Sequence, residues 1–190
     1  MIRWPSLVPP RKEINEVFSA EDWCATLVAA AGEPDIKNKL LQGYQAAGKT
    51  FKVHLDGYDQ RDILSGKGPD KRREFFYWTD DGNLAGLRYE QWKAVFMEQR
   101  AHGLDVWAEP LIQLRLPKLV NLRSDPFERA QHESGDYLRW FIDHAFLLVP
   151  AQAIVAQHIQ SLKEFPPRQR PGSFSVDQAL DQLRLPPSSN

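Results

Sequence analysis

Two stretches of this chain repeat their apolar residues at helical spacing, and the stretch between them follows the pattern of strands. In the first, residues 14–18 (INEVF) read as a short extended piece and Ser19 opens a helix over about 20–31. Asp22 stands where its carboxylate can reach back to the cap, and Phe18 and Trp23 occupy the staple positions around it. Cys24, Leu27, Val28 and Ala31 fall on one face of that helix and are expected to be buried, with Gly32 as the stop. A second short helix is predicted within 35–45. Residues 48–69 are rich in turn formers and read as a connection with little regular structure.

The period then changes from helical to alternating. Residues 74–79 (EFFYWT), a turn signal at Asp80-Asp81-Gly82-Asn83, and the runs 84–89 and 92–98 predict a three-stranded antiparallel meander. Residues 118–122 supply a candidate fourth strand, entered from a loop punctuated by Pro110 and Pro117. The cover for this sheet is predicted from Leu138, Phe141, Ile142, Ala145, Phe146 and Val149, a series that resumes after Pro150 with Ala151, Ile154, Val155, Ile159 and Leu162. Proline suits the first turn of a helix and not its interior, so a break is expected near Pro150. Pro166-Pro167 ends the helical region, Ser175 with Gln178 marks another cap ahead of Val176, Ala179, Leu180 and Leu183, and residues 186–190 are expected to fray. The fold class predicted is α+β, a small antiparallel sheet of about four strands packed by C-terminal helices.

Composition narrows the chemistry. The 190 residues are 42% hydrophobic and 26% charged, the balance of a chain that packs a core. With 24 basic and 25 acidic side chains and no basic stripe, a nucleic-acid partner is not expected. No signal-peptide pattern opens the sequence, and Pro150 and Gln152 interrupt the most apolar stretch well short of a membrane span. Cys24 is the only cysteine, so neither an intrachain disulfide nor a thiolate metal cluster can form. His54, His102, His132, His144 and His158 are scattered, with no pair at i, i+4 that would turn two imidazoles toward one metal. His144 and Asp143 are sequence neighbours and therefore do not face each other on a helix. Asp80 and Asp81 read as turn residues. Gly43–Thr50 fits the phosphate-loop pattern G-x-x-x-x-G-K-T, but that loop requires a strand before it and a helix after it, and the pattern here is the reverse. No residue is assigned a catalytic, cofactor-binding or metal-binding role.

The ordered segments, taken together, resemble the C-terminal region of bacterial arylsulfatase-type sulfatases of the alkaline-phosphatase-like superfamily. The stretches that carry the resemblance are residues 1–5 (MIRWP), 18–36 (FSAEDWCATLVAAAGEPDI), 55–66 (LDGYDQRDILSG), 74–100, 118–130 (KLVNLRSDPFERA) and 140–155 (WFIDHAFLLVPAQAIV). The resemblance implies that residues 1–50 are a strand-and-helix remnant ending the large α/β sulfatase domain and that 51–190 form the C-terminal subdomain. It also implies a sulfuric ester hydrolase whose formylglycine, formed in a C-x-P-S-R type motif, and whose calcium are held elsewhere: Cys24 is followed by Ala-Thr-Leu-Val, and no Asp-Asn-Gly metal segment occurs. The expected partner is the missing N-terminal sulfatase domain, or a second copy through exposed apolar surface. The alternative is a non-catalytic module that docks to a separate sulfatase-like chain. The compartment stays open, cytoplasmic as the sequence is written and periplasmic for full-length relatives.

Overall fold

The computed structural model describes residues 2–167 and Gly172, and the cap expected at Ser175 with its following helix lies outside them. Residues 14–18 form no strand, and no strand precedes the first helix among the described residues, where an extended segment finds no neighbour to pair with.

Helix α1 covers Asp22–Ala30. The Asp22 carboxylate accepts the Ser19 backbone N–H at 2.9 Å, the Ser19 hydroxyl accepts the Glu21 N–H at 3.3 Å, and the Phe18 and Trp23 rings meet at 4.8 Å, as the cap and staple predict. The buried face is not the expected one. Asp22, Ala25, Thr26 and Ala29 point inward, while Cys24 is exposed and Leu27 is 56% exposed. The helix is turned because Asp22 and Thr26 take up polar groups of distant segments and two alanines allow those segments close, which outweighs the gain from burying one cysteine and one leucine.

Helix α2 (Ile36–Gln42) leads into a small hairpin, β1 (Tyr44–Ala46) and β2 (Lys49–Phe51), with Tyr44 opposite Phe51. Ala47 and Gly48 turn the chain with φ of 49° and 74°, the pair of positive values that a two-residue I′ turn demands. Gly43–Thr50 is therefore a hairpin and no phosphate loop. Within the stretch read as irregular, Arg61–Ser65 forms a short helix, α3, ended by Gly66 in the left-handed region.

The main sheet has the order β3-β4-β5-β6, all antiparallel: Glu74–Trp78, Leu84–Tyr89, Trp92–Glu98 and Ile112–Asn121. Strand β6 begins at 112, before the expected 118, and contains Pro117. The proline is tolerated because β6 is an edge strand and its register with β5 shifts between Val95 and Met97. On one face, Phe76, Leu87, Ala94 and Leu119 line up across the four strands. That face is covered by α5 (Tyr137–His144), a 3-10 turn (Ala145–Leu147) and α6 (Leu148–Glu164), reached through α4 (Ala130–Glu133), whose start the Asp125 carboxylate caps by accepting the N–H groups of Arg129 and Ala130. The break falls at the 3-10 turn, just ahead of Pro150, which sits in the first turn of α6.

Ala94, Leu119 and Phe141 form the core here, with Phe96, Tyr137, Trp140, Leu147 and Leu148 packed on it. Of the expected apolar series, Ala145, Ala151, Ile154, Val155 and Leu162 are half-buried, whereas five members face outward: Leu138 is 68%, Ile142 64%, Phe146 66%, Val149 72% and Ile159 41% exposed. The aromatic side chains of Tyr137 and Trp140 fill the sheet-facing positions instead. Contrary to the expectation from Pro150, Tyr137–Glu164 taken as one stretch is long and apolar enough to cross a membrane by length and composition, although in the fold its inner face covers the sheet.

Candidate functional site

Three of the segments just described meet at one buried ion pair. Arg72, in the basic run ahead of β3, has a side chain only 3% exposed, and Asp22 at the start of α1 is at 0%. The guanidinium Nε donates to both Asp22 carboxylate oxygens at 3.1 and 2.9 Å, and Nη2 donates to Oδ1 at 2.8 Å. Its other contacts reach the Asp56 and Glu74 carbonyls, each at 3.1 Å, and the Glu21 carboxylate at 3.2 Å. Asp22 also accepts the Tyr58 N–H at 2.8 Å and the Gln60 amide at 3.2 Å. Burial alone would raise its pKa; the Arg72, Ser19 and Tyr58 hydrogen bonds win and hold it below the ordinary carboxylate value. Thr26 extends the seam, accepting the Gln60 N–H at 3.0 Å and donating to the Tyr58 carbonyl at 3.2 Å. Gly57 is obligatory here, since a Cβ on it would stand 2.2 Å from the Glu21 carbonyl oxygen.

Above this seam opens a cleft of about 610 Å³. One wall comes from Glu21, Lys37, His54, Asp56 and Tyr58, the floor from Arg72 and Glu74, and the other wall from Phe76, Trp78, Tyr89 and the α6 residues Ile154, Gln157, His158 and Ser161. A second cavity of about 670 Å³, bounded by Lys52, Thr79, Phe165 and Pro166, shares His54, Asp56, Trp78 and Ser161 with it. Tyr58 donates its hydroxyl to Glu74 at 2.6 Å, and burial together with that bond pushes its pKa above the usual tyrosine value. The Lys37 ammonium lies 4.2 Å from the Tyr58 ring centroid. Burial lowers the pKa of Lys37 and raises that of Glu21. His54 sits 3.2 Å from Asp56, and His158 stacks on Phe76 at 3.8 Å, where burial lowers its pKa.

The structure thus brings His54 and His158 into one cleft and leaves the other histidines apart. His102 and His132 are exposed, and His144 hydrogen-bonds the Trp140 carbonyl at 2.7 Å while stacking on the Trp140 ring. Ser161 donates its hydroxyl to the His158 carbonyl at 2.7 Å, which uses the proton that a nucleophilic serine would offer to a base. At Asp80-Asp81 the turn is closed through Thr79, whose carbonyl accepts the Gly82 N–H and whose hydroxyl accepts the Asn83 N–H. The sequence reading found Asp22 only as a cap and missed Arg72 altogether, because three consecutive basic residues at 71–73 give no sign of which one turns inward.

Against known proteins, no family model matches the chain. Over 137 residues it is 27% identical to human arylsulfatase G (Homo sapiens), a match that covers 70% of this chain and 23% of that protein. This is a sulfatase-like C-terminal region. Among solved structures it is similar to the PsFucS1 sulfatase from Pseudoalteromonas sp., with a TM-score of 0.40 and 24% identity, over 60% of this chain and 22% of that one. The sulfatase-like region therefore spans about a quarter of the curated relative's length. The formylglycine and calcium, which the resemblance places outside this region, have no matching motif in its sequence. Cys24, the single cysteine, is followed by Ala25-Thr26-Leu27-Val28, and no group of three or more His, Cys, Asp or Glu side chains is arranged for a metal among the described residues.

Proposed function

We propose that this region is the non-catalytic C-terminal part of a sulfuric ester hydrolase of the arylsulfatase type, one that contributes a folded support and no reacting group. One observation carries the reading: 70% of the chain matches an arylsulfatase, yet none of its residues provides the C-x-P-S-R motif or a metal cluster among the described residues. Sulfate transfer needs a nucleophile and an electrostatic clamp on the developing charge. The cleft offers neither: its serine is committed to a carbonyl, and its arginine, Arg72, is already paired with Asp22 and Glu21. Purified chain incubated with 4-nitrophenyl sulfate and calcium is expected to release no nitrophenol above the buffer rate. Turnover that copurifies with the chain, or an aldehyde side chain found by peptide mapping, would refute the reading.

A second reading, an interaction module that docks to a separate sulfatase-like chain, is favoured by the outward stripe Leu138, Ile142, Phe146 and Val149. Under either reading that stripe is covered in the working assembly, and the isolated chain should associate as its concentration rises. Sedimentation velocity over a concentration series tests this. The variant Ile142→Glu, altered where no core contact is made, should shift the distribution toward monomer; a wild-type chain that stays monomeric throughout counts against a covered stripe.

A further inference from the structure

Among the described residues, packing is left unfinished beside the end of α6. Protein interiors leave few voids larger than a water molecule, yet a cavity of about 670 Å³ stands open between that helix end, the β3–β4 turn and the segment after β2. Val53, Trp78, Leu162 and Phe165 line it, and Trp78 is 40% exposed. The chain itself brackets the opening. It leaves α6 through Phe165, Pro166 and Pro167, all lining residues, and is back at the cavity at Gly172, whose N–H donates to the Asp80 carbonyl at 3.1 Å. Asp80 lines the cavity too, and a Cβ on Gly172 would stand 3.0 Å from its carboxylate, so the chain passes at close quarters.

Ser175 follows Gly172 within about 10 Å even if the link is fully extended. There begins the cap of Ser175 and Gln178, and with it Val176, Ala179, Leu180 and Leu183, spaced i, i+3, i+4 and i+7. We propose that residues 176–183, which lie outside the described residues, form a helix that docks its apolar face on this cavity of the same chain. A short tether holds such a segment at a high effective concentration, which favours it over a free partner. The tether also selects the seat. Val149, on the apolar ridge of α5 and α6, lies about 22 Å along α6 from its Glu164 end, whereas the cavity adjoins the Gly172 anchor. Asp177, Gln178, Asp181 and Gln182 fall on the remaining faces of the helix and stay in water. Both sides of this contact belong to the chain, so it is independent of the sulfatase reading.

Hydrogen exchange of the intact chain, read by mass spectrometry, tests the docking. Amides of residues 177–183 should exchange at least about tenfold more slowly than those of an unstructured chain, at every protein concentration. Leu180→Asp, a change outside the sheet and its cover, should remove that protection and at the same time speed exchange at residues 161–165 of α6 and at the 79–83 turn. Ile142→Glu, on the ridge, should leave all three segments unchanged. Exchange of residues 177–183 at the unstructured rate in the intact chain overturns the proposal. So does protection that Ile142→Glu abolishes, which would seat the helix on the ridge, and protection that grows with concentration, which would seat it on a second copy. A Leu180→Asp chain that loses the protection of 177–183 while α6 and the turn exchange as before also overturns it, since the helix would then form without touching the cavity.

Discussion

Replacing Arg72 with methionine isolates the contact on which the N-terminal half depends. The substitution keeps most of the side chain's length, removes the positive charge, and takes away the donors to Asp22 and to the Asp56 and Glu74 carbonyls. Asp22 keeps its bonds from Ser19, Tyr58 and Gln60, but becomes a buried anion without a counter-charge. Leaving one member of a buried pair uncompensated costs about 3–5 kcal/mol, a large share of the ~5–15 kcal/mol that holds a typical domain together. Equilibrium urea unfolding of the whole chain, followed by tryptophan fluorescence and far-UV dichroism, gives the loss directly when the slope stays constant.

The pH dependence gives this prediction a second arm. In the wild type the Asp22 pKa is depressed, so its stabilisation is present above the ordinary carboxylate pKa and is lost as pH falls below it. Without Arg72 the folded-state pKa of Asp22 rises, the unfolded state no longer binds protons more readily than the folded one, and the gap between variant and wild type should narrow as pH falls from 7 toward 4. Adding Asp22→Asn to Arg72→Met should restore part of the loss, since the orphaned charge is gone. A loss below about 1 kcal/mol, or additive single and double variants, would place Arg72 among ordinary surface ion pairs and refute the hub.

Gly57→Ala should destabilise by at least the ~1–3 kcal/mol typical of overpacking, because the new Cβ meets backbone at 2.2 Å and neither Glu21 nor the loop can yield without breaking the Asp22 bonds; a thermal midpoint within a degree of wild type would contradict this. His158 has a depressed pKa from burial, so its contribution to stability is complete above the unfolded pKa of about 6.5 and declines as pH falls through it. His158→Leu should therefore flatten the stability profile between pH 7.5 and 5, and an unchanged slope in urea titrations at those pH values would show that the ring does not titrate on unfolding.

The sheet and its cover were legible because their signals are local. Alternation over 74–98, the Asp-Gly turn and the proline stops each act within a few residues, and the structure follows them. Periodicity failed where a long-range polar contact competed with it. In α1 the apolar series 24, 27, 28, 31 is a true helical stripe, but Asp22 binds Arg72 fifty residues away, and the helix turns to serve that bond. In α5 the series was found but its orientation was not, since Tyr137, Trp140 and Phe141 interleave with Leu138 and Ile142 at the same spacing and only the sheet decides which set goes inward. The cleft lay beyond sequence reasoning for a related reason: Lys37, Asp56, Glu74 and His158 come from four separate segments.

The open surfaces of this region differ in what they admit. Strand β6 is an edge, yet Pro117 lacks an N–H, the register shift bends the strand, and the Tyr137 hydroxyl both donates to the Leu119 carbonyl at 3.0 Å and accepts its N–H at 3.2 Å. Those features block another strand from adding along it. The outer stripe of α5 and the start of α6 carries no such protection: its residues recur at intervals of four, four and three across the 3-10 turn, so one continuous apolar ridge spans both helices. A partner that covers this region through the proposed contact must therefore bring an apolar face to pack against helices rather than a strand to extend the sheet, and charge placed on that ridge should weaken the assembly while leaving the sheet intact.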